Sequence, residues 1–263
     1  DATYEMVYAS DEGVACVDDV ARIAVAYLRH YQQFDDDHSR MRARQALEFV
    51  RYMQLDSGKF LNFITKPALT EEIFGSKNPD VIDGIKVNGT HSSAPSVGWW
   101  ACRACWALGV GYSVFIQEDP EYARELAADI EALMDAWAAG PLTEYGEYET
   151  LHGRQIPKWL PANGTDATSP AVLGLATLVD AGGGGSRARR QLRRFSEGIE
   201  AYRFGDTDEY PFSAHLPWTG SVSMWHAWGA RQSAALARAG RVLEEPTFVE
   251  SARDEVTSLF THL

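Results

Sequence analysis

The sequence predicts an all-α fold: an α/α toroid of helical hairpins, with apolar inner helices enclosed by amphipathic outer ones. Three observations carry this expectation. Buried-type and amphipathic helical segments alternate along the chain. The connections alternate with them, short and then long. One stretch, Ser96–Ile116 (SVGWWACRACWALGVGYSVFI), is apolar around its whole circumference and carries a single charge, Arg103. A helix apolar on every side is either a membrane span or a helix inside a large domain. A span would put Arg103 near mid-bilayer at a cost of about 2.5–3.5 kcal/mol, and the Gln117, Glu118, Asp119, Pro120 flank has no basic cluster. The stretch therefore reads as a buried inner helix.

In chain order, Asp1–Ser10 is a short aromatic lead-in, read as extended. Val17–Phe34 repeats apolar residues at helical spacing through Val17, Val20, Ala21, Ala24, Leu28 and Tyr31. Arg40–Gln54 is amphipathic, with Ala43, Ala46, Leu47 and Val50 on one face and arginines opposite. The buried Ser96–Ile116 is followed by the amphipathic Pro120–Trp137. Pro170–Ala181 is apolar, with Ser169 and Pro170 expected as N-cap and first turn. Ser186–Tyr202 is amphipathic, Val222–Ala239 mostly apolar at its start, and Pro246–Leu263 amphipathic. Strands are expected only as short pieces in the loops.

The loops Asp35–Ser39, Gln117–Asp119, Gly182–Gly185 and Gly240–Glu245 are short, which makes their flanking helices antiparallel neighbours. Leu55–Pro95, Gly140–Thr168 and Phe204–Ser221 are long, and long loops in a compact domain are usually functional. All the long loops fall at the end where inner helices begin, so the site is expected there.

The totals limit the function. At 263 residues and 45% hydrophobic, the chain is expected to form a single domain over residues 1–263. A net charge of −13 makes nucleic acid and anionic membranes poor partners, and favours a neutral oligosaccharide over a polyanion. Cys16, Cys102 and Cys105 cannot build a disulfide framework. The C-x-x-C lies within the apolar helix without a second pair of ligands, so no metal and no cofactor are expected. No targeting segment is visible in the sequence; a soluble chain is expected, with its compartment left open.

Reading the starts of the inner helices as one group gives Asp18 and Asp19, then His91, Trp99 and Trp100, then Asp166, then Trp218, Trp225 and His226. The loops add Asn62, Glu72, His152 and the Glu144–Glu149 run. Carboxylates accept from sugar hydroxyls, indole faces stack on sugar rings, and paired carboxyls can serve as acid and base in glycosidic cleavage. Asp18, Asp19 and Asp166 are the candidate catalytic residues, and the others candidate binding residues. Trp106 and Trp228 lie deeper in their helices and are read as core, while Asp35, Asp36 and Asp37, on the short-loop end, are read as solvated.

The chain also resembles the six-hairpin, or (α/α)6-toroid, glycosidase superfamily, through the helical pattern and three short pieces. These are VDDVAR at Val17–Arg22, GKFLNF at Gly58–Phe63 with the EEIFGS of Glu71–Ser76, and CRACWALG at Cys102–Gly109. They look like a poorly characterised branch, some members of which accompany glycosyltransferases. The resemblance implies an α-toroid acting on or binding carbohydrate, though four hairpins are counted here, as in an incomplete ring. The function expected is glycoside hydrolysis with a loop Glu as the second carboxylate. The alternatives are a sugar epimerase or isomerase using His91, His152, His215 or His226, and a non-catalytic carbohydrate-binding toroid.

Overall fold

The computed structural model describes residues 15–64, 92–151, 153–219 and 231–261. Within them are eight α-helices and three two-stranded antiparallel ribbons. The helices are α1 (Val17–Phe34), α2 (Asp37–Tyr52), α3 (Trp99–Phe115), α4 (Pro120–Ala138), α5 (Thr165–Asp180), α6 (Gly185–Glu200), α7 (Gln232–Leu243) and α8 (Pro246–Ser258). They pair as the hairpins α1·α2, α3·α4, α5·α6 and α7·α8. The odd-numbered helices pack on one another in the order α1, α3, α5, α7, and the even-numbered ones lie outside. The fold is all-α, with inner and outer layers assigned as the sequence pattern requires.

The turns at the short-loop end are set locally. Asp35 takes the left-handed conformation at φ 52° and donates its N–H to the Tyr31 carbonyl, ending α1. Asp36 then caps α2 by accepting from the Ser39 N–H at 2.9 Å. Asp119 caps α4 through the Tyr122 N–H, with Pro120 in the first turn. The Asp35–Asp37 run is thus turn chemistry, away from the other helix ends.

The α3 helix is buried nearly throughout and touches α1, α2, α4 and α5. Glycine makes the last contact possible. A Cβ on Gly109 would lie 2.3 Å from the Gly174 carbonyl oxygen, and one on Gly174 would lie 2.3 Å from the Cys105 carbonyl oxygen. The two backbones therefore touch, with no side chain between them. Cys102 and Cys105 are free and buried in this contact region, as the apolar reading of the pair expects. Among the described residues no group of His, Cys, Asp and Glu could hold a metal, and no helix is long and apolar enough to cross a membrane.

Three of the boundaries that differ from the sequence reading have a visible cause. The second helix begins at Asp37, because the Asp36 cap recruits the Asp37–Ser39 turn. The α7 helix runs on through Gly240 to Leu243, and the left-handed Glu244 stops it, so the expected loop is shorter. The correction at α5 matters more. Its start is at Thr165 and not at Pro170, because the loop before α7 supplies the missing partners. The Thr165 hydroxyl donates to the Leu216 carbonyl at 2.7 Å, and the Asp166 N–H donates to the Pro217 carbonyl at 3.2 Å. Those tertiary bonds hold an extra turn ahead of the proline, and Asp166 lies within that turn.

The ribbons lie among the loops at the long-loop end. β1 (Ala15–Cys16) pairs with β2 (Phe63–Ile64), β3 (Tyr148–Leu151) with β4 (Arg154–Pro157), and β5 (Arg203–Phe204) with β6 (Ala214–His215). Single bridges join Phe60 to Ser96 and Gly164 to Trp218. The segments entering α1, α3 and α5 are therefore tied to neighbouring loops, which fixes the relative positions of those helix starts.

Candidate functional site

Three inner helices present side chains at their N-terminal ends, beginning with Asp18 on α1. The α1 helix has no side-chain cap of its own. Asn62 supplies one from the next loop: its carbonyl accepts the Val17 N–H at 2.8 Å and its Oδ1 the Asp18 N–H at 3.3 Å. Asn62 is in turn held by the Ser93 hydroxyl and the Ser92 carbonyl. It is buried, and its visible work is to hold the start of α1.

Asp18 forms an ion pair with Arg103, the lone charge of α3. Arg103 is only 4% exposed, so it needs that counter-charge, and its guanidinium carbon lies 5.9 Å from the Trp99 ring centroid. The field of Arg103 also reaches Asp166. One guanidinium thus relates both aspartates. Asp19 takes a different direction: it pairs with Arg22 at 2.8 Å, accepts from the Cys16 thiol at 3.3 Å, and leaves two-thirds of its side chain exposed.

Asp166 is 5% exposed, and its carboxyl is pushed up to about 7. Burial is the largest cause. The Ala167 N–H, which donates to Oδ1 at 2.6 Å, and the field of Arg103 both oppose it. Trp218 shares this corner. A Cβ on Gly164 would lie 2.8 Å from Asp166 Oδ1 and 3.2 Å from Trp218 Cδ1, so only glycine leaves the space open. Trp218 is 42% exposed, an indole offered to solvent beside a carboxyl of raised pKa. After burial, the fields of Glu149 on β3 and of Asp166 both push up the Tyr202 phenol, so Glu149 is the described loop glutamate whose charge reaches this region.

Further along the same helices, a 420 Å³ cavity is lined from all four inner helices, by Arg29, Trp106, Val110, Thr177, Asp180 and Arg238 among others. Charged and aromatic residues recur at steps of three, four and seven, as Asp18, Arg22 and Arg29 on α1 and as Trp99, Arg103 and Trp106 on α3. That spacing keeps them on one face of each helix. Trp106 is buried in the core, as the sequence reading expects, and its ring also forms part of the cavity wall.

Other expected residues lie elsewhere. Trp100 donates its indole N–H to the Phe60 carbonyl at 2.8 Å, a tie between α3 and the preceding loop. Glu144 and Glu147 both pair with Lys158. His215 is buried, with Nδ1 2.8 Å from Glu255 and Nε2 2.9 Å from Ser251. Both ring nitrogens are engaged in the core, which removes His215 as an acid or base of the site. Glu72, His91, His152, Trp225 and His226 lie outside the described residues. Arg103 was not expected as a site residue, although a lone charge in an apolar helix is itself the signal of a buried partner.

No family model matches the chain, and no curated protein matches it. Among solved structures, a similar chain is the GH family 9 endoglucanase J30, 15% identical with a TM-score of 0.42. The match covers 94% of this chain and 55% of that one, so this chain spans about half the length of that protein. A likeness this loose carries no argument about chemistry. The chemistry rests on the side chains: a buried carboxyl poised to give up a proton near neutrality, a charge-paired carboxylate, and two indoles.

Proposed function

We propose that the N-terminal ends of α1, α3 and α5 form the active site of a carbohydrate-active enzyme that cleaves a glycosidic bond. The observation that supports this most is the unlike pair, Asp18 ion-paired with Arg103 and Asp166 buried in the field of the same guanidinium. Carboxyls whose environments differ in this way can divide acid and base roles. In this reading Asp166 is the general acid, which delivers its proton to the departing sugar oxygen as the anomeric C–O bond breaks. Asp18, oriented by Arg103, is the second carboxylate and takes the proton of the attacking water. Trp99 and Trp218 supply faces for sugar rings. Asp19, the sequence's other candidate, is paired with Arg22 and is the less favoured partner.

Asp166→Asn tests the reading. The amide keeps the volume and the bond from Ala167 but has no proton to deliver, so turnover of a cleaved glycan falls about 10²–10⁴-fold. Folding is checked by the thermal midpoint. Full activity in this variant removes Asp166 as the acid. Sugar binding by the wild-type chain without any cleavage across a broad glycan panel makes the domain a binding module.

A further inference from the structure

The chain carries a net charge of −13, yet the face shared by its inner helices collects arginines. Most have a carboxylate: Arg103 pairs with Asp18, Arg22 with Asp19, and Arg238 with Asp180. Arg29 and Arg231 have none among the described residues. Instead, their guanidinium carbons lie 5.3 and 5.2 Å from the centroid of the same ring, Trp106. Arg29 on α1 and Trp106 on α3 are both walls of the 420 Å³ cavity, and Arg231 stands at the start of α7. Burial, and then the fields of Arg103, Arg22 and Arg29, hold the Arg231 guanidinium below its usual value. α1 and the start of α7 thus bring like charges to an aromatic ring on α3.

A cation–π contact is a modest attraction, a small return for holding two guanidinium groups together. An oxyanion between them would satisfy both through charge-assisted, bidentate hydrogen bonds, the geometry in which Arg outperforms Lys. We infer that Arg29 and Arg231, both packed on Trp106, form an anion subsite that binds the charged group of an acidic oligosaccharide. This rests on the carbohydrate reading and narrows it. It also reverses what net charge predicts, because a global excess of carboxylates does not set the field inside a concave face lined with arginine.

The test is a tryptophan-fluorescence titration with trigalacturonate, a neutral trisaccharide and inorganic phosphate, on wild type, Arg29→Gln and Arg231→Gln. The expected result is trigalacturonate binding at least about tenfold tighter than the neutral trisaccharide, with that preference lost in either variant and the neutral affinity unchanged. Arg29 is exposed, so its replacement leaves the fold intact, and Arg231→Gln is checked by its thermal midpoint. Equal affinities for the acidic and neutral trimers, or variants that bind trigalacturonate like wild type, overturn the anion subsite and leave the carbohydrate reading standing. Phosphate binding without binding of either trimer overturns the carbohydrate reading and the acidic-glycan assignment with it.

Discussion

An ionised carboxylate at Asp166 would have little water around it, and the folded chain avoids that by keeping the proton. The sign of the consequence follows from proton counting. The unfolded carboxyl titrates at about 3.9, so as pH rises the unfolded chain releases a proton that the folded chain retains until about 7. The wild-type chain therefore loses stability between about pH 4 and pH 7 through this group, and no more above that. Asp166→Asn should be more stable than wild type above pH 7, with the margin vanishing below about pH 4. Urea denaturation at pH 4 and pH 8 checks this without any substrate, and a margin equal at both overturns it. Under the proposed acid role of Asp166 the activity limb has the same origin: wild-type turnover should fall above about pH 7, as the carboxyl loses its proton. Asp18 offers a separate prediction. Asn caps a helix about as well as Asp, so a mere cap would tolerate Asp18→Asn. Arg103, however, would be left buried without its counter-charge, and we expect a loss of about 3 kcal/mol, discounted from the fully buried range because Asp18 is a quarter exposed.

The four hairpins were legible in the sequence because periodicity reports which faces are buried, and four hydrophobic faces changed character on schedule. The start of α5 was not legible. Ser169–Pro170 is a sound local signal, but it was overruled by bonds to Leu216 and Pro217, distant in sequence and silent in any local pattern. The Arg103–Asp18 pair was half legible: the lone charge announced that a partner was needed, and nothing announced which. His215 misled for a related reason. A loop imidazole looks available until Glu255 on α8 is placed against it; burial pushes that carboxyl up, but hydrogen bonds from His215 and Ser233 outweigh it and hold it low. At this scale the sharpest test is Gly109→Ala. The methyl would meet the Gly174 carbonyl on a facing backbone, so the helices must separate. A loss of about 1–3 kcal/mol or more is expected in chemical denaturation, against a gain of under about 1 kcal/mol if the helix were free to accept alanine.

Across the molecule, the hairpins are joined by two kinds of contact. Inner helices touch mainly through apolar side chains and backbone, with the Asp18–Arg103 and Asp180–Arg238 pairs added between them. Outer helices reach across with ion pairs, Arg51 to Asp129 and Arg187 to Asp135, and β5 reaches α8 through Arg203 and Asp254. The Arg51–Asp129 pair is half-buried, but exposed pairs such as Arg187–Asp135 contribute about 0–1 kcal/mol each, so rigidity should concentrate in the inner layer. Hydrogen–deuterium exchange should find the slowest amides in α3 and α5 and faster ones in α6 and α8. Uniform exchange across both layers would mean that the layers open as one unit. The single-face spacing along α1 has a last consequence. Asp18 and Arg29 stand about three turns apart on one rigid helix, which at 1.5 Å per residue is roughly 16 Å. That helix is a ruler. Under the proposed carbohydrate reading, a lone hexose would reach the carboxyls or Arg29 but could not touch both, so chain length, independently of charge, would become something this face can measure.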